Sequence, residues 1–218
     1  MLQINTVADA VAESINQKLI NGEICPGNKI NIDSLARELG VSKTPVREAL
    51  KKLENTGILQ ALPRVGWRVP QTTIQETKWI FEFQRMLDLG LLGKIYDFKL
   101  LPNREKCEHI NEEIKACFIN GHLDDVIKLN ISFHMELIAN ADNKPMLETV
   151  LQLWRKATIH RTRIVNTSEF QKYTALEHSA IIHALFEGTK QDLEKVVYDH
   201  WIHGWEIWEK SYEENTYK

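Results

Sequence analysis

From about residue 73 to the end, the chain shows one pattern only, the helical one. Apolar residues recur every three or four positions. The breaks are short polar, Gly or Pro turns at Pro102-Asn103, Asn120-Gly121, Asp142-Asn143, Asn166–Ser168 and Gly188. This spacing predicts helices over about 73–99, 103–119, 123–140, 144–165, 172–187 and 190–213. With no alternating period to build a sheet, such a run has to close as helix on helix, an all-α bundle. No apolar run reaches the ~18–20 residues that a membrane helix needs, so no membrane partner is expected.

Residues 1–70 read differently. Thr6, with Asp9 three residues on, can cap a helix over 6–21 in which Val7, Val11, Ile15 and Leu19 recur; Asn21-Gly22 ends it and Pro26-Gly27 turns. Asp33 can cap a short helix, Ser34–Leu39, closed by Gly40. Ser42 or Thr44 can cap the next, with Pro45 in its first turn, where a missing N–H costs nothing. That helix runs to about Thr56 and stops at Gly57. Residues 58–69 alternate and contain Pro63 and Gly66, so they predict a two-stranded ribbon turning near Arg64–Gly66. The fold class is therefore mainly α, with two domains, 1–70 and 71–218. Charge divides at the same place. The first 70 residues carry nine Lys/Arg against seven Asp/Glu and the rest eighteen against twenty-three, giving +2 and −5.

Several function classes drop out. Three cysteines without a C-x-x-C pair exclude a disulfide framework and a zinc finger, and they suit a reducing compartment, hence a cytoplasmic protein. The N-terminus lacks the basic start and apolar core of a signal peptide. None of the ten glycines forms a phosphate-binding loop.

A short helix, a tight turn holding Gly40 and a second helix have helix-turn-helix spacing. The second helix opens Ser42-Lys43-Thr44-Pro45-Val46-Arg47. Its N-terminal N–H groups and positive dipole end suit phosphate oxygens. Lys43, Thr44 and Arg47 face outward, whereas Val46, Leu50 and Leu53 face inward. Arg47 can fork onto a guanine edge, and Lys43 can reach a base or a phosphate. Arg64 at the ribbon tip is placed for a backbone or minor-groove contact, and Gly66 permits the turn. Double-stranded DNA is the expected partner.

The run PGNKINIDSLARELGVSKTPVREALKKLENTGILQALPRVGWRV resembles the winged helix-turn-helix of GntR-type bacterial transcription regulators. Leu35-Ala36, Leu39-Gly40-Val41-Ser42, Thr44-Pro45-Val46-Arg47-Glu48-Ala49-Leu50 and Gly66 match the family pattern as they stand. The resemblance spans about residues 8–69. It implies DNA contacts from Lys43, Thr44 and Arg47 and a wing whose Arg64, Val65 and Gly66 enter the minor groove. Lys43 stands where the family usually has Arg, so a fork becomes a point charge.

In the helical part, Asn130 and His134 lie four apart and share a face with Leu123, Val126, Ile127, Leu137 and Ile138. His178 sits in the stripe Ala175, Ile181, Ile182, Leu185, and His200 among Val196, Val197, Gly204 and Ile207. Three imidazoles from three helices thus point inward, where they need partners. Imidazole suits Zn, Ni, Cu or Fe, and facing helices assemble such sites; satisfied core histidines are the plainer alternative. The other histidines, His109, His122, His160, His183 and His203, fall outside these stripes and read as surface or structural.

Residues 73–213 resemble the FCD sensor domain of the FadR branch of the same family. Asn130, His134, Glu177-His178 and His200 fall on its spacing. The resemblance implies a divalent metal, Zn or Ni, held by Asn130, His134, His178 and His200, with a small carboxylate metabolite completing the site. Asn130 replaces the commoner Asp, a weaker ligand that leaves the metal more positive. Arg85 and Arg161 are candidates for the effector carboxylate, or else internal partners of residues such as Asp88. Trp201, Trp205 and Trp208 read as packing.

Together these features predict a homodimeric, ligand-responsive repressor on a pseudo-palindromic operator. The rivals are the same DNA-reading domain with a bundle that only dimerises, and a three-histidine metalloenzyme. Against the enzyme, no inward carboxylate is placed as a base, Glu177 pointing away from the stripe of His178.

Overall fold

The computed structural model describes residues 6–20, 23–71 and 73–216; the side chains of residues 20, 124, 155–156, 158–163 and 213–216 are outside that description. The chain forms two compact units, residues 1–73 and 74–218.

The first unit contains α1 (Val7–Ile20), β1 (Lys29–Ile30), α2 (Ile32–Glu38), α3 (Lys43–Asn55), β2 (Gln60–Leu62) and β3 (Gly66–Arg68). Thr6 and Asp9 cap α1 reciprocally: the Asp9 N–H donates to Thr6 Oγ1, and the Thr6 N–H donates to Asp9 Oδ2 at 2.8 Å. The expected stop at Asn21-Gly22 lies outside the described residues. α2 begins two residues earlier than its sequence predicts, because Asn31 and not Asp33 accepts from the Ser34 N–H, at 2.9 Å. The α2–α3 turn closes through Gly40 at φ +65°, a left-handed conformation that suits a residue without Cβ. α1 and α2 both pack on α3. Ile15, Val46, Ala49 and Leu50 are fully buried there, and each large aliphatic side chain so buried contributes ~1.5–3 kcal/mol.

The ribbon is a three-stranded antiparallel sheet of order β1-β3-β2, with Ile30 opposite Trp67 on one edge and Ala61 opposite Trp67 on the other. β1 adds a third strand that the sequence pattern does not predict. Two residues cannot display an alternating period, and this strand exists only by pairing with β3.

Among the described residues the second unit is helical throughout: α4 (Ile74–Phe98), α5 (Arg104–Asn120), α6 (Leu123–Ile138), α7 (Lys144–Ile164), α8 (Ser168–Glu187) and α9 (Lys190–Thr216), with a 3-10 turn at Ala139–Ala141. α8 starts four residues before its predicted start, because Thr167 caps it by accepting from the Phe170 N–H. Each helix packs on two ring neighbours, in the order α4, α9, α8, α5, α6, α7 and back to α4. The ring interior is filled by Leu91, Ile95, Ile114, Phe133, Leu137 and Trp154. Trp201, Trp205 and Trp208 are buried as packing residues: Phe81 meets the first two edge-on, and Trp205 stacks on Trp208. No described helix is long and apolar enough to cross a membrane.

Candidate functional site

α3 turns its residues two ways. Val46, Ala49, Leu50 and Leu53 are buried, while Lys43, Thr44 and Arg47 are exposed side by side at its N-terminal end. Ser42 holds the cap position in extended backbone, but its side chain makes no cap hydrogen bond. Lys43 Nζ pairs with Asp33 Oδ1 at 2.7 Å, both side chains 60% exposed. That bond holds the Asp33 carboxyl below its ordinary value. A pair this exposed contributes little to stability, so a phosphate oxygen can replace the carboxylate at small cost.

The wing turn places Arg64 at φ +63° and Gly66 at φ +114°. Its Val65 N–H closes on the Leu62 carbonyl at 3.0 Å, while the Val65 side chain stands out into solvent. The wing is tied to α3, since Trp67 Nε1 donates to Glu54 Oε2 at 2.9 Å. The wing is thus held against the C-terminal part of α3, and exposed cationic side chains stand at the N-terminal end of that helix and at the wing tip.

The second constellation lies inside the helix ring. His134 from α6, His178 from α8 and His200 from α9 offer ring nitrogens that all lie within 4.8 Å of one another. His134 and His200 face each other through their Nε2 atoms at 3.3 Å. Each turns its Nδ1 outward to a carboxylate: His200 to Glu177 Oε2 at 2.8 Å, His134 to Asp88 Oδ2 at 3.3 Å. Trp201 Nε1 also donates to Asp88, at 3.1 Å. These carboxylates orient both imidazoles with Nε2 inward, as the outer-shell partners of metal-bound histidines do. His178 stacks on Phe133 with ring centroids 3.9 Å apart. Both its nitrogens are buried without a hydrogen-bond partner. Burial, then the neighbouring His200 and His134, hold its pKa well below the ordinary imidazole value, so it is neutral with a lone pair available. A buried lone pair left unpaired is costly, and a divalent cation among these nitrogens would satisfy it. The residues present therefore fit a metal. Asn130 is buried one turn before His134 on α6.

One expectation needs correction. Glu177 does not point away from the site. Its carboxylate accepts from both His200 and His203, and although burial pushes its pKa up, those two bonds outweigh it and hold the carboxyl below its ordinary value. His203, read as surface or structural, thus shares the Glu177 carboxylate with His200. Periodicity sends Glu177 off the stripe of His178, but α9 packs against α8 on that side as well. Asp88, expected as a possible partner of an arginine, is also joined to His134 and Trp201. In the fold Arg85 lies over the Tyr198 ring, 4.7 Å from its centroid, and lines a small hollow with Lys78, Phe81, Glu82 and Trp205. The Arg161 side chain lies outside the described residues.

Residues 7–69 match the family model described as "Bacterial regulatory proteins, gntR family", and residues 80–203 match the FCD domain. The HTH-type transcriptional regulator YdhC of Bacillus subtilis is 30% identical over 195 residues, covering 87% of this chain and 85% of its own. The gluconate operon transcriptional repressor of the same species is 23% identical, covering 88% and 85%. Among solved structures, E. coli McbR/YncC has a similar fold, with a TM-score of 0.68 at 20% identity over 95% of this chain and 99% of that one.

Proposed function

The chain belongs to the GntR family of bacterial transcription regulators and carries an FCD domain; on that premise we propose a repressor that binds its operator as a homodimer and is released by a small carboxylate metabolite. The protein is a DNA-binding regulator and not an enzyme. In the proposed complex, Lys43, Thr44 and Arg47 contact the major groove, and Arg64, Val65 and Gly66 contact the minor groove. Two copies set their recognition helices about one DNA turn apart, ~34–36 Å, on a pseudo-palindrome.

His134, His178 and His200, with Asn130 beside them, would hold a divalent metal such as Zn or Ni. Bound there, such an ion supplies the positive charge that a carboxylate effector coordinates. Glu177 and Asp88 hold the two facing imidazoles in the ligating orientation. Arg85 and Arg161 are the cationic candidates for the effector's remaining oxygens. The effector shifts the DNA-binding equilibrium only by its unequal affinity for the two states.

The observation that carries the reading is the buried His178, neutral and without a hydrogen-bond partner, converging with His134 and His200. Repression as the direction of control is supported by the relative that represses a gluconate operon. The test is a fluorescence-anisotropy titration of DNA flanking the gene, with a panel of small organic acids, before and after chelation. A metal-dependent acid that weakens binding is expected. If no acid alters binding at any metal loading, the sensing role is wrong and the bundle only dimerises.

A further inference from the structure

An ion pair joins α2 to α3 at the DNA-reading face. Asp33, in the first turn of α2, accepts from Lys43, the first residue of α3, at 2.7 Å. Arg37, one turn further along α2, and Arg47, one turn further along α3, stand near enough for their charges to act on the same carboxylate. Two other carboxylates of this unit are used differently. Asp9 takes Lys52 near the far end of α3, and Glu38 takes Lys18 of α1. Asp33 instead occupies a cation assigned to DNA, and sets one negative charge among three positive ones. Stability does not account for it. α2 already packs on α3, with Leu35 and Ala36 buried, and a pair this exposed adds little.

We infer that Asp33 is a specificity-determining residue: it holds the Lys43 ammonium where a phosphate would otherwise hold it, and so penalises random-sequence DNA more than the operator. An ammonium has three donors and no fork to fix its aim. With one donor held by Asp33, Lys43 has a direction, and two donors remain. It can then reach a purine N7 or O6 in the major groove without breaking the pair. A random-sequence duplex offers Lys43 chiefly phosphate. To reach that, the ammonium must leave Asp33 or bring a carboxylate up to a phosphate, and either costs affinity. The carboxylate is a repulsive element set against the wrong sequences. This role of Asp33 rests on the proposed DNA-reading face.

The test is a salt titration by fluorescence anisotropy, on the duplex that the parent protein selects from a random pool and on the unselected pool. Asp33→Asn keeps the size of the side chain and removes its charge. Binding to the unselected pool is expected to tighten about tenfold near 0.1 M salt, with a salt slope steeper by about one, as for one more phosphate neutralised. Binding to the selected duplex should tighten by a clearly smaller factor, so that discrimination falls. In a Lys43→Ala background the same change should do little, because the pair is already gone. Equal tightening on both duplexes makes Asp33 a plain surface charge, and a loss on the selected duplex makes it a direct contact. A lower melting temperature with an unmoved salt slope makes it a structural tie, and full tightening without Lys43 means that the pair is bypassed. Each of these overturns the role of Asp33 and leaves the DNA-reading face standing. A parent that selects no sequence overturns the face itself.

Discussion

The two units distribute polar chemistry in opposite ways. In the DNA-reading unit the side chains assigned to a partner, Lys43, Thr44, Arg47, Arg64 and Val65, are all exposed. Among the described residues, the fully buried polar side chains all belong to the helical unit: Asp88, Asn111, Asn130, His134 and His178 stand out among them. The first unit recognises something too large to enclose, so its core can stay apolar and its stability owes little to its function. In the second, the groups proposed to bind a ligand occupy core volume and have to be satisfied there. Substitutions should therefore separate cleanly in the first unit and entangle binding with stability in the second.

The largest expected effect is in the helical unit. Removing two ligands with His134→Ala and His178→Ala should abolish stoichiometric zinc or nickel binding, read by elemental analysis of purified protein. The same double variant opens space beside Phe133 and Trp154, so its melting temperature without metal should also fall. Unchanged metal content would remove the site, and unchanged stability would break the contrast between the units. Next is Arg47→Ala, expected to cost ~1–3 kcal/mol of operator affinity at the contacted base. Its melting temperature should not move, because the side chain is exposed on α3. An Arg47→Ala protein that binds operator like the parent removes the recognition-helix assignment.

The same contrast explains how much was legible in the sequence. The DNA-reading face lies on consecutive turns of one helix and one hairpin. Its residues are positioned by local rules of capping, turn chemistry and helical period, carried by the run from Val41 to Leu50 and by the turn at Arg64–Gly66. The helical site draws on α4, α6, α8 and α9. The stripes found His134, His178 and His200, because each is inward on its own helix. They missed the carboxylates that orient the rings, because those contacts span 46 residues for Asp88 with His134 and 23 for Glu177 with His200. A helix in a closed ring has neighbours on two sides, so its buried arc is wider than the single stripe that periodicity reveals. Glu177 falls in that extra arc, and no local signal marks it.

Glu177→Gln measures how far the outer arc matters. The amide keeps the size of the side chain but removes the charge that polarises His200 and His203. Metal affinity is expected to fall about tenfold, the lower end for outer-shell partners, read by competition with a chromogenic chelator. Operator affinity without effector should stay at the parent value. A tenfold change in both would mean that the outer shell of the metal site and the DNA-reading face are not separable.

The smallest effect sharpens the comparison from the other side. Asn31 caps α2 through the Ser34 N–H, at 2.9 Å, and α2 leads into the turn that sets the start of α3. Asn31→Ala should cost about 1 kcal/mol. For a unit of this size that is roughly 4–8 °C in melting temperature, confined to the transition of the DNA-reading unit in calorimetry. Metal affinity should be unaffected, since the proposed ligands His134, His178 and His200 and the carboxylates Asp88 and Glu177 all lie in the helical unit. Operator affinity should fall only where the unit begins to unfold, so the loss at low temperature should be far smaller than that of Arg47→Ala. A cap variant that instead loses metal would show that the surface-built and core-built sites share stability, and that the division drawn between them holds for geometry but not for energy.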